Sequence, residues 1–183
     1  MAAAGLVALL GTVAEPYWLL ASAIGLAVAW IALQDIVDFT IPDGAIIALA
    51  MLGVASRLSD SSHVGEPLAR TVLAIAVDIA VSGGLLLALR EAYYHRRGHD
   101  GLGFGDVKLG AAGGALAGTS GFAWALFAAS LAGIAVVMAC RMRPLGRLLP
   151  EAPEKLPFGA ILAPALWVVW AMRQSPDGSG LFH

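Results

Sequence analysis

The sequence predicts an all-α fold: a polytopic bundle of about six transmembrane helices, forming a single membrane-embedded domain over residues 1–183. Three observations carry this. Hydrophobic residues make up 59% of the chain, charged residues only 13%, and mean hydropathy is +0.81. A soluble domain is about 45–50% apolar and about 25% charged, so one core could not enclose this much apolar surface. The apolar residues also fall into runs of the length a spanning helix needs, about 17–25 residues. Proline, glycine and charge gather in the breaks between those runs.

The same numbers exclude other classes. A net charge of −2 and a pI near 6.0 offer no basic surface for nucleic acid. The four histidines are scattered, and no glycine-rich phosphate loop is present. A single cysteine, Cys140, rules out an internal disulfide or a paired-cysteine zinc site, and inside its apolar run it reads as a small buried hydrophobe. We expect neither metal nor cofactor.

Residues 2–14 are apolar but short and end at Glu15-Pro16; they read as an interfacial segment or an extension of the first helix. The N-terminus lacks the basic start of a cleaved signal peptide, so the first span is expected to stay in the mature protein. That span covers about 17–35. The second, about 43–58, follows Pro42, which a helix interior does not tolerate, and Asp43 then reads as an N-cap. A polar loop, Ser59 to Glu66, leads through Pro67 to the third span, about 69–90, with Asp78 near its middle. After the polar stretch Arg90–Asp100 come a short, small-residue-rich span at about 105–119 and a fifth at about 121–140. A basic, proline-bearing loop precedes the sixth, about 157–172, and the tail from Ser175 is polar.

Charge orients this topology. With the 36–42, 91–104 and 141–156 connections on one side, that side and its flanking helix ends hold eight of the eleven Lys and Arg residues. The positive-inside rule makes it the cytoplasmic side and puts both termini outside. Asp35 and Asp106 then share the cytoplasmic face, a coincidence that used no motif.

An acid beside or within a span costs about 3 kcal/mol unless paired or wetted, which makes it a functional candidate. Of the eight aspartates, Asp60 and Asp177 sit in polar stretches, and Asp100 reads as a turn residue in a glycine-rich loop. Asp38, three residues after Asp35, reads as a wet acid near a substrate; were the helix to continue, the two would share a face. Asp78, the deepest, reads as a hydrogen-bonded helix–helix contact. Asp35 and Asp106 remain. Two aspartates from different helices can divide the work of hydrolysis, one taking a proton from water and the other donating to the scissile carbonyl. Such a pair titrates as a unit. On spacing alone, two interfacial acids reaching to water stand as the alternative.

Gly103 and Gly105 frame Asp106 and permit close backbone approach to a substrate strand. Gly110, Gly114 and Gly118, at intervals of four, make a face that another helix can approach closely. Lys108 lies two positions from Asp106, off its helix face, and reads as snorkelling to lipid phosphate or steering an acidic substrate group.

Three segments, in order, resemble the type IV prepilin peptidases. Asp35-Ile-Val-Asp-Phe-Thr-Ile-Pro42-Asp43 looks like the segment of their first aspartate. Gly103-Phe104-Gly105-Asp106 resembles their Gly-x-Gly-Asp element, and Leu156-Pro157-Phe158-Gly159-Ala160 is similar to Pro-Phe-Gly-Pro, departing at Ala160. The resemblance spans about 20–172. It implies an aspartic endopeptidase of the inner membrane that removes the basic leader of prepilins or pseudopilins at the cytoplasmic face. Asp35 and Asp106 would be the catalytic pair, with Asp38, Pro42, Gly103, Gly105, Lys108, Pro157 and Gly159 supporting them or the substrate. The cysteine-paired, zinc-binding N-terminal region of the methylating members has no counterpart here, which implies a short form that does not N-methylate. The implied partners are a prepilin or pseudopilin and membrane lipid.

Two other readings compete. Intramembrane proteases of the presenilin or signal-peptide-peptidase kind also use a Gly-x-Gly-Asp aspartate, and Pro164-Ala165-Leu166 spells a further element of theirs. A small non-enzymatic transporter subunit would instead use Asp78 as an ion site.

Overall fold

The computed structural model describes residues 16–98, 102–142 and 157–174. They form five helices: α1 (Pro16–Asp38), α2 (Asp43–Val64), α3 (Leu68–Arg97), α4 (Phe104–Met142) and α5 (Phe158–Gln174). Among the described residues there is no strand. The first four helices are long and apolar enough to cross a membrane. The all-helical membrane class is therefore as expected, while about six spans is more than these four.

Two features account for the difference. α5 has 17 residues, the lower limit of the spanning range, and is counted among the shorter apolar helices. The expected fourth and fifth spans are joined in α4, which departs from helical geometry at Gly118 (φ 68°, ψ 172°). That region of backbone space is open essentially to glycine alone. A straight helix would hold residues nine apart about 13 Å apart along its axis. Yet the Phe122 ring lies 3.0 Å from where a Cβ on Gly113 would stand. The chain therefore folds back at Gly118, and α4 consists of two arms, residues 104–117 and 119–142.

Helix ends follow local chemistry. α1 is described from Pro16 onward. It stops at Phe39, which takes a positive φ of 52° while its N–H bonds Asp35 O at 3.1 Å. α2 starts after Pro42, whose carbonyl accepts the N–H groups of Ala45 and Ile46. The Ser59–Glu66 stretch, expected as a loop, is helical as far as Val64; the stop comes only at Gly65, at φ 74°. α3 likewise outruns its expected end at residue 90 and stops at Gly98, a left-handed cap whose N–H bonds Tyr94 O at 2.8 Å. In both places the polar side chains mark only the end of the apolar part of the helix, not the end of the helix.

The first arm of α4 is the axis of the bundle, packed by α2, α3 and α5. Leu109, Ala115, Leu116 and Ala117 in this arm are buried together with Ile24, Ile31, Leu49, Phe122, Leu162, Leu166 and Trp170. Its small residues set the spacing: a Cβ on Gly114 would stand 2.4 Å from the backbone oxygen of Asp78. The glycine face read from the sequence is thus the contact with α3. Large apolar side chains such as Trp18, Leu26, Trp124 and Phe127 point outward, as a lipid-facing surface requires. The expected interfacial segment 2–14, the basic loop and the polar tail lie wholly or mostly outside the described residues.

Candidate active site

Asp35 and Asp106 are separated by 71 positions, yet both are buried and open on one cavity of about 310 Å³. They are 5% and 9% exposed, and near enough for their charges to interact. Each is anchored at the start of a helix. Asp35, in the last turn of α1, accepts the Ala160 N–H at 2.7 Å through Oδ2, at the N-terminus of α5. Asp106, in the first turn of α4, reaches back to the Gly103 N–H at 3.2 Å through Oδ2, while its own N–H bonds Gly103 O at 3.1 Å. The second arrangement is half of a capping box, and both place a carboxylate where the helix dipole and unpaired N–H groups favour one. Asp106 Oδ1 is buried and has no hydrogen-bond partner among the described residues.

Ile41 closes the site from below. Its side chain lies 3.2 Å from where a Cβ on Gly105 would stand, and 2.7 Å from that of Gly159. One branched residue between two glycines thus draws together the α1–α2 turn and the starts of α4 and α5. Pro42 fixes the turn that presents Ile41. Pro157 immediately precedes α5, where its ring suits the first turn. Gly159 has a second constraint, because its Cβ would also lie 3.0 Å from Asp35 Oδ2. Gly159→Ala is expected to push Asp35 from its anchor and reduce turnover about tenfold to a hundredfold, since displacements near 1 Å cost that much. Cleavage rates corrected for folded protein check this; unchanged rates would mean that Asp35 tolerates displacement.

The remaining expected residues divide. Lys108 pairs with Asp43 at 2.6 Å and also stands 5.5 Å from the Phe104 ring centroid, which Arg90 approaches to 5.8 Å from α3. The Lys108 partner in the structure is therefore a protein carboxylate. Asp43 and Lys108 both line the cavity. Asp38 is exposed, accepts a bond from Gln34 at 3.1 Å, and does not line it. Asp78 lies elsewhere, at the Gly118 reversal. Its Oδ1 accepts the Thr119 N–H and hydroxyl, and Oδ2 pairs with Arg57 at 2.7 Å. Sequence reasoning missed Phe39, Thr40 and Phe104 as lining residues. Of these, Phe39 carries a physical mark visible only in the backbone: a bulky residue at positive φ, a strained state that clusters at functional sites.

Among protein-family models, the one described as Type IV leader peptidase family matches residues 22–138, more than half of the chain. The chain belongs to that family. Comparison with curated proteins and with solved structures gives no match. The leader peptidase match contains both buried aspartates and stops before α5, the helix whose N-terminus holds Asp35. The protein is thus a membrane-embedded peptidase of this family.

Proposed function

We propose that the protein is an aspartic endopeptidase that removes the basic leader of a prepilin or pseudopilin, with Asp35 and Asp106 as its catalytic pair. The observation that carries this is the meeting of two buried carboxylates from different helices on one cavity. Water placed between them gives its proton to one carboxylate as its oxygen attacks the scissile carbonyl carbon. The other aspartate, which starts as the protonated acid, gives its proton to the carbonyl oxygen. When the tetrahedral intermediate collapses, the C–N bond breaks, the amine leaves with a proton, and the leader departs with a new carboxylate. Asp106 Oδ1, which has no partner among the described residues, is the oxygen left for this exchange.

Family membership and the site's position at helix ends rather than mid-helix support this substrate class. Asp35 lies in the last turn of α1, and Asp106 in the first turn of α4. A bond cut there lies at the edge of the apolar layer, where a leader meets a membrane helix. In this reading the site faces the cytoplasm, and the protein resides in the inner membrane. Pro164-Ala165-Leu166, the element shared with presenilin-type proteases, is inside α5 with Leu166 buried against Gly113, and it does not line the cavity.

The test uses the protein in lipid vesicles with a substrate made of a basic leader and an apolar helix. Mass spectrometry should find one cut at the leader junction, and a new N-terminus that gains no methyl group when a methyl donor is supplied. Cuts within the apolar helix would replace this reading with the presenilin-type one. Orientation has its own check: cysteines introduced at 91–97 should be labelled only from the cytoplasmic side, and external labelling would reverse the assignment.

A further inference from the structure

Beside the aspartate cavity lies a second concavity, an apolar groove of about 360 Å³ that the proteolytic chemistry does not use. α2 contributes Ile46, Ile47 and Ala50, α3 contributes Ile79, and α4 contributes Ala111 and Ala112. Only one end is polar, where Asp43 and Lys108 line both the groove and the cavity. At about 1.5 Å per residue, Asp43 to Ala50 spans about 10 Å along α2, and Lys108 to Ala112 about 6 Å along α4. The groove therefore starts at the active site and runs about two helical turns toward the middle of the bundle, where Ile79 neighbours Asp78. Its floor is made of alanines, and Ile47 on its rim is 59% exposed.

We propose that this groove binds the apolar segment of the substrate on the membrane side of the scissile bond. The chain would pass over the Asp43–Lys108 pair as it leaves the aspartate cavity. This rests on the proteolytic reading above. Continuity is the argument: the two concavities share the ion-paired residues, so a chain held across the carboxylates continues directly into the groove. The match of character is the second argument. A basic leader would leave its charges without a partner along this apolar wall, whereas an apolar membrane segment can pack against Ile47 and Ile79, the lining isoleucines that are not already buried. Small residues on the floor let a backbone approach closely, as at other helix contacts in bilayers.

A photoreactive residue at Ile47 tests the placement, because Ile47 lies outside the catalytic machinery. It is introduced together with Asp106→Asn, so that the substrate binds without being cut, and irradiated in phosphatidylethanolamine–phosphatidylglycerol vesicles. The adduct is expected on the apolar segment of the substrate. An adduct on the leader or on lipid alone, or none at all, while the Asp106 protein cleaves the same substrate, would overturn the groove assignment and leave the protease standing. In the active protein, Ile47→Trp narrows the groove and is expected to raise KM about tenfold with kcat unchanged, the pattern of lost uniform binding. An unchanged KM counts against the groove. If the Asp106 protein cuts no leader substrate at all, the protease reading fails, and the groove assignment falls with it.

Discussion

Asparagine at either Asp35 or Asp106 is expected to lower leader cleavage by about 10²–10⁴-fold, the range associated with loss of a positioned acid or base. The folded, membrane-inserted fraction should stay the same. Asparagine is the informative replacement because both aspartates also have a plain structural job. Asp106 Oδ2 accepts the Gly103 N–H at the start of α4, and Asp35 Oδ2 accepts the Ala160 N–H at the start of α5. A side-chain amide oxygen can accept those bonds, and asparagine caps helices about as well as aspartate. It cannot take a proton from water or deliver one to a carbonyl. If capping were the whole role of these residues, the variants would cleave normally. If the carboxylates carry the chemistry, each variant keeps its thermal midpoint and loses turnover. Size analysis of a co-expressed prepilin gives the first readout, and thermal unfolding of purified protein in detergent gives the second. Full processing by either variant would remove the dyad from the mechanism.

The sequence displayed the parts of this site better than their arrangement. The spans were legible because apolar runs of spanning length are a strong signal, and charge counting put Asp35 and Asp106 at the same end of the bundle. What brings them together was not legible. Ile41 wedged between Gly105 and Gly159 is a shape match among three segments, each unremarkable alone. The Asp35 anchor is a backbone N–H, a group every residue except proline carries, so nothing in the letters around Ala160 announces it. Helix ends were the weakest reading, because hydropathy sees the bilayer edge whereas hydrogen bonding carries α2 and α3 past it to Gly65 and Gly98. The break near residue 120 was visible as a boundary between two spans. Only the backbone shows it as a reversal hinged on Gly118, inside a single helical element.

That hinge carries the second large expectation. Asp78→Ala is expected to destabilise the protein by about 2–3 kcal/mol while turnover per folded molecule remains unchanged. The first arm of α4 ends with carbonyls that lack helical partners, and two arginines supply them: Arg57 bonds Gly114 O at 3.4 Å, and Arg173 bonds Ala117 O. Asp78 then holds Arg57 in place and receives the Thr119 N–H and hydroxyl, so one carboxylate serves both sides of the turn. Removing one member of a fully buried pair costs about 3–5 kcal/mol; the figure here is lower because Arg57 and Asp78 keep 23% and 18% of their side-chain surface exposed. Gly118→Ala should act in the same direction by about 1–3 kcal/mol, through backbone strain alone. The decisive measurement pairs unfolding midpoints in detergent with cleavage rates normalised to folded protein. A transporter would behave in the opposite way, with Asp78 substitutions abolishing proton flux in vesicles at unchanged stability. An acid already committed to an arginine, a backbone N–H and a hydroxyl is placed to hold a turn closed, and its loss should be felt in the fold before it is felt at the aspartate pair, which meets at the far end of the first arm of α4.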